Sequence, residues 1–89
     1  MTYRMKIISE EPTEIYNHTL KKDIKIEVGI KYRCYYVKPT DKKERQEQDR
    51  IVEVLGFNDD FMPTGVIVRY QDTMRRGMVR PNCLIPYEE

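Results

Sequence analysis

The stretch GVIVRYQDTMRRGMVRPNCLIP, residues 65–86, decides how the chain is read. It opens with Val66-Ile67-Val68, a β-branched run that suits a half-buried pleated surface. Its middle, MRRG, reads as a tight turn in which Gly77 supplies a positive φ. MVR then returns and Pro81 stops the pairing, because proline has no backbone N–H to give to a ladder. NCLIP is a short turn into a last strand. Along the first strand Val66, Val68 and Tyr70 share one face, and Ile67, Arg69 and Gln71 share the other. With the valines inward, Arg69 points outward beside the tip that carries Arg75 and Arg76. Arg80 points outward too if Val79 packs inward.

Working toward the N-terminus, IVEVLGF (51–57) is a further strand, ended by the turn residues Asn58-Asp59-Asp60. Thr40–Arg50 contains no apolar residue and balances its charges, as expected of a long polar loop or a short solvated helix. Ile24–Pro39 alternates on both sides of Gly29, which marks a bulge or a bend between two strand pieces. Thr2–Ile8 alternates with period two and reads as a strand. Residues 9–23 hold poor helix formers (Asn17, His18, Thr19) and read as an irregular excursion with at most one helical turn.

The succession of long loop, medium loop, tight turn and short turn resembles the SH3-like barrel family, Tudor-like and KOW-like domains included. VIVRYQDTMRRGMVRPNCLIP is similar to a Tudor run: a strand, an aspartate at its end, a turn, a valine on the return strand, then Leu-Ile-Pro. The resemblance covers residues 29–88. It implies a mostly β fold, a small antiparallel barrel of five or six strands, with the short irregular or helical excursion before it. The chain is then one domain, with residues 1–28 as N-terminal strand and excursion and 29–89 as the barrel.

Composition narrows the function. The 89 residues include 16 Lys and Arg against 15 Asp and Glu, a net charge of +1. Alanine is absent and tyrosine occurs seven times, which favours strands. The charge is uneven: residues 1–60 cancel, while residues 65–87 carry four arginines and one aspartate. A nucleic-acid footprint would therefore be local. Arg69, Arg75, Arg76 and Arg80, with Arg33 from the tyrosine-rich strand, suit bidentate phosphate contacts. They equally suit a hairpin kept soluble and protected against edge-to-edge pairing.

Tyr35 and Tyr36, with Phe57, Phe61 and Tyr70, form a candidate aromatic groove, for stacking on a base or for docking a protein side chain. The Tudor likeness implies a cage for a cationic side chain, although the chain has no tryptophan. Cys34, Cys83 and His18 are too scattered for a tetrahedral metal site. No phosphate loop, nucleophile elbow or carboxylate pair appears. The N-terminus has no apolar h-region and no apolar run approaches the ~20 residues of a membrane span, so the reading is a cytoplasmic protein with reduced thiols. The expectation is a non-catalytic binding module for nucleic acid, with a protein-interaction module or small inhibitor as the alternative. No cofactor, metal, membrane or small-molecule substrate is expected.

Overall fold

Seven antiparallel strands and one short helix make up the secondary structure that the computed structural model describes, over residues 6–60 and 64–87. β1 (Thr13–Asn17) and β2 (Lys22–Ile26) form a hairpin. β3 (Lys31–Cys34), β4 (Ile51–Asn58), β5 (Gly65–Tyr70), β6 (Arg76–Val79) and β7 (Leu84–Pro86) form a sheet in the order β6-β5-β4-β3-β7. The helix α1 (Lys42–Glu47) lies in the long β3–β4 connection, and a single 3-10 turn (Pro81–Cys83) precedes β7. The sheet is open: its two outer strands, β6 and β7, do not pair with each other.

The alternation read in the sequence sets the core. Tyr32 and Cys34 on β3, Val52 and Val54 on β4, Val66 and Val68 on β5, Val79 and Leu84 are all buried in one cluster. The hairpin adds Ile24 and Ile26 to the same cluster, so it covers one face of the sheet. The Cα radius of gyration is 12.0 Å, against about 12 Å for a compact chain of this length, which requires the hairpin to be packed on the sheet. Ile67 is fully buried but lies outside that cluster, on the opposite face. There it pairs with Met78 on β6 and with Gly56 on β4, and Ile7 lies against Gly56. A bulge at Leu55 separates the Val54–Val68 and Gly56–Ile67 pairs and returns Phe57 to the core side.

Four expectations need correction. The N-terminal excursion is a regular hairpin: Thr13, Ile15 and Asn17 alternate inward against Glu14 and Tyr16, a pattern hidden by the polar residues at its turn. That turn is stabilised by Asn17, which is fully buried. Its Oδ1 accepts from Leu20 N at 2.9 Å, and its Nδ2 donates to the Leu84 carbonyl at 3.0 Å, joining the hairpin to β7. The β5–β6 turn takes its positive φ at Met74 (59°) and not at Gly77. Gly77 is required for a different reason: it lies within β6 under the Tyr70 ring, and a Cβ there would strike that ring. The polar segment 40–50 is neither a loop nor a wholly solvated helix, since Glu47 is buried. Of the expected strand at 2–8, residues 2–5 lie outside the described residues and Lys6–Ile8 are not strand; Ser9 makes an isolated bridge to Phe57. Gly29 does mark the bend between β2 and β3, with φ of 85°.

Replacing Asn17 by Ala leaves the Leu84 carbonyl and the Leu20 N–H without partners inside the fold. Urea unfolding should show a loss of about 2 kcal/mol. A change within about 0.5 kcal/mol, the usual range of a neutral surface substitution, would show that the hairpin is held by its apolar contacts alone.

Candidate functional site

The long β3–β4 connection builds the densest polar cluster. Asp41 caps α1, its carboxylate accepting from Glu44 N at 2.8 Å, while the Glu44 carboxylate reaches back to Thr40 N at 2.9 Å. The capped turn carries Glu47 down onto the sheet, where only 4% of it is exposed. A buried carboxylate must be paired or hydrogen-bonded. Here Tyr36 donates to Oε1 at 2.8 Å and Tyr70 to Oε2 at 2.6 Å, with Lys43 Nζ 3.6 Å from Oε2. Lys43 also donates to the Met78 carbonyl at 3.2 Å, which draws the helix across β6.

Beyond α1 the chain passes through Asp49, with φ of 66°. Arg50 then lays its guanidinium 4.0 Å from the centre of the Tyr70 ring. The same guanidinium grips Asp72 in a fork, at 3.1 and 2.8 Å. Asp72 is the aspartate that closes β5 in the sequence motif, and its function here is to lock the β5–β6 turn to the end of α1. The hydrogen bonds from Arg50 hold the Asp72 carboxyl below its ordinary range, and Arg50 is raised in turn.

Cys34 and Cys83 are both free and buried beside this cluster. The neighbouring Cys83 thiol and burial push the Cys34 thiol up. Cys83 is lowered by Cys34 and by Tyr36 and donates to the Arg80 carbonyl at 3.0 Å. Burial, followed by the neighbouring Cys83 and the bond to Glu47, raises the Tyr36 hydroxyl. Burial and the bond to Glu47 raise Tyr70, and burial raises Tyr32.

Two clefts open around Tyr36. One, of about 230 Å³, is lined by residues of the β1–β2 turn (His18, Thr19), the segment Tyr35–Lys38, Glu44, and Arg80 with Asn82 and Cys83. The other, of about 120 Å³, lies between Tyr36, α1 and Arg80.

The arginines fall into two places. Cross-strand pairing sets Lys31, Glu53, Arg69 and Arg76 side by side on the sheet face away from the hairpin. Arg33 is two residues along β3 on that face, and Arg75 is exposed at the tip. Arg33 lies 3.9 Å from Asp49, with both side chains well exposed, a pairing of little energetic weight. Arg80 does not join this row; it lines both clefts. The five-residue aromatic groove does not assemble: Phe57 is 1% and Tyr70 8% exposed, both in the core. Phe61 lies outside the described residues. Tyr35 and Tyr36 remain, half-buried in the cleft wall. Sequence reasoning missed Glu47, Lys38 and Asn82. The Asp41–Glu44 capping spacing was legible and would have placed the helix; the two tyrosine partners of Glu47, 11 and 23 residues away, were not.

Comparison with family models, curated proteins and solved structures gives no match to this chain. Among the described residues, no helix is long and apolar enough to cross a membrane.

The raised tyrosines set an alkaline limit. A hydroxyl whose folded-state pKa lies above its unfolded value contributes stability that is complete below that value, 10.0, and is lost as pH rises beyond it. Urea midpoints should therefore fall steadily above pH 10, with the tyrosinate absorbance of Tyr32, Tyr36 and Tyr70 appearing together with unfolding. Tyrosinate absorbance that rose in full around pH 10 while the fold stayed intact would contradict the buried hydroxyl network.

Proposed function

We propose that the protein is a non-catalytic binding module of the SH3-like type that contacts nucleic acid through the arginine-bearing face of its sheet. The succession of connections supports the family reading: a long one holding α1, a medium one after Asn58, a tight turn at 71–75 and a single 3-10 turn before the last strand. The functional reading is carried by the cross-strand register, which lines up Lys31, Arg69 and Arg76 in one row with Glu53 between the first two. Arg33 and Arg75 extend the same surface, so the basic groups lie along a path instead of being scattered around the molecule. Neighbouring strands are about 4.8 Å apart, so basic side chains on β3, β5 and β6 span roughly 15 Å, enough to follow several backbone phosphates. Guanidinium groups meet phosphate oxygens two bonds at a time. Glu53 and Asp49 temper the field, consistent with a contact of modest strength.

Binding of this kind releases counterions. With three or four phosphates neutralised, log K should fall against log salt with a slope of about −3. Arg75→Ala with Arg76→Ala should weaken binding and flatten that slope by about two. Both effects are readable by fluorescence anisotropy on a labelled oligonucleotide. Binding insensitive to salt, or unaltered in the double variant, would remove the proposal.

A further inference from the structure

The polar groups of the larger cleft divide by charge. Its acids are engaged: the Glu44 carboxylate accepts from Thr40 N and Oγ1 at 2.9 and 3.1 Å. Glu47, below the adjoining cleft, is held by its two tyrosines. Its cations are not. Neither the Arg80 guanidinium nor the Lys38 ammonium has a partner among the described residues, and the Asn82 amide has none either. Among the described residues, His18 makes an edge-on ring contact with Tyr16, at 5.0 Å. Tyr35 and Tyr36 line the same space of about 230 Å³. That volume is below the roughly 300 Å³ at which pockets for drug-sized ligands begin and suits one planar group with its charge at the rim.

The cleft is also joined to the sheet face. The Arg33 guanidinium lies 5.8 Å from the centre of the Tyr35 ring, and Tyr35 lines the cleft. A backbone following Arg76, Arg69 and Arg33 therefore arrives at the cleft mouth.

We infer that this cleft seats one unstacked nucleotide of a single strand, its base against Tyr35 and Tyr36 and its phosphate on Arg80 and Lys38. The inference rests on the reading that the sheet face contacts nucleic acid. It adds a preference that the face alone does not give: a paired base cannot enter, so the cleft selects single strands. Base stacking on aromatic side chains tolerates any base, so the selection is for strandedness and not for sequence.

The test uses the intact chain with an oligothymidylate of about eight nucleotides and a duplex of the same length, at one moderate salt concentration. Arg80→Ala with Lys38→Ala should weaken single-strand binding about tenfold and leave duplex binding unchanged. Arg75→Ala with Arg76→Ala should weaken both. All four side chains are exposed, so folding is not at issue, and amide spectra of the variants would confirm it. If the cleft variant binds the single strand like the parent protein while the face variant weakens both ligands, the cleft inference falls and the proposed function stands. If the parent protein binds neither ligand, both fall. Cleft amide signals that move with an acidic peptide and not with the oligonucleotide would also overturn the inference and assign the cleft to a protein ligand.

Discussion

The Glu47 carboxylate is the constraint on which the rest of the arrangement depends. Placed at the end of a six-residue helix too short to be stable by itself, it is buried with one hydrogen bond each from Tyr36 and Tyr70 and with Lys43 Nζ at 3.6 Å. Those two tyrosines belong to different parts of the chain, the segment after β3 and the end of β5. One carboxylate thus ties the long connection to the sheet in a defined orientation. Removing one of these hydrogen bonds is costly, about 1.5–3 kcal/mol for a bond to a charged group.

The consequences spread outward from that point. With Tyr70 fixed, its ring covers Gly77, and Arg50 stacks on it and reaches Asp72. The β5–β6 turn is therefore held at its base, while its tip presents Arg75 and Arg76. With Tyr36 fixed, the segment Tyr35–Lys38 is held beside the 3-10 turn, Tyr35 N donating to the Cys83 carbonyl at 2.7 Å, and the cleft that Arg80 borders is lined by both. The sheet face and the cleft are two surfaces produced by one internal bond network, and Tyr35 with Arg33 over it is where they meet.

Much of the sheet was legible in the chain because a period of two is a local property. Val66, Val68 and Tyr70 alternate inward as their order requires, and Gly29 bends where a strand pattern is broken. Ile67 shows the limit: facing away from the core cluster, it is buried by Ile7, Gly56 and Met78, which no window around residue 67 contains. The β1–β2 hairpin was obscured for a similar reason, its inward residues including the polar Asn17, whose partner is the Leu84 carbonyl 67 residues away. The candidate site was legible only in outline. The clustering of late arginines is visible, but the separation of Arg80 from Arg69 and Arg76 follows from strand register and from the 3-10 turn. Phe57 read as a groove residue because the bulge at Leu55 that turns it to the core is not marked in the sequence, whereas the parity of Tyr70 with Val66 and Val68 already set it on the core face.

A double-mutant cycle on the central network tests the account most directly. Tyr70→Phe, Glu47→Gln and their combination would be compared with the parent chain by urea unfolding. If the carboxylate holds the connection on the sheet through that hydroxyl, the two effects should couple by more than about 1 kcal/mol. Effects that add within about 0.3–0.5 kcal/mol would contradict it and leave α1 held by its cap and by Lys43 alone.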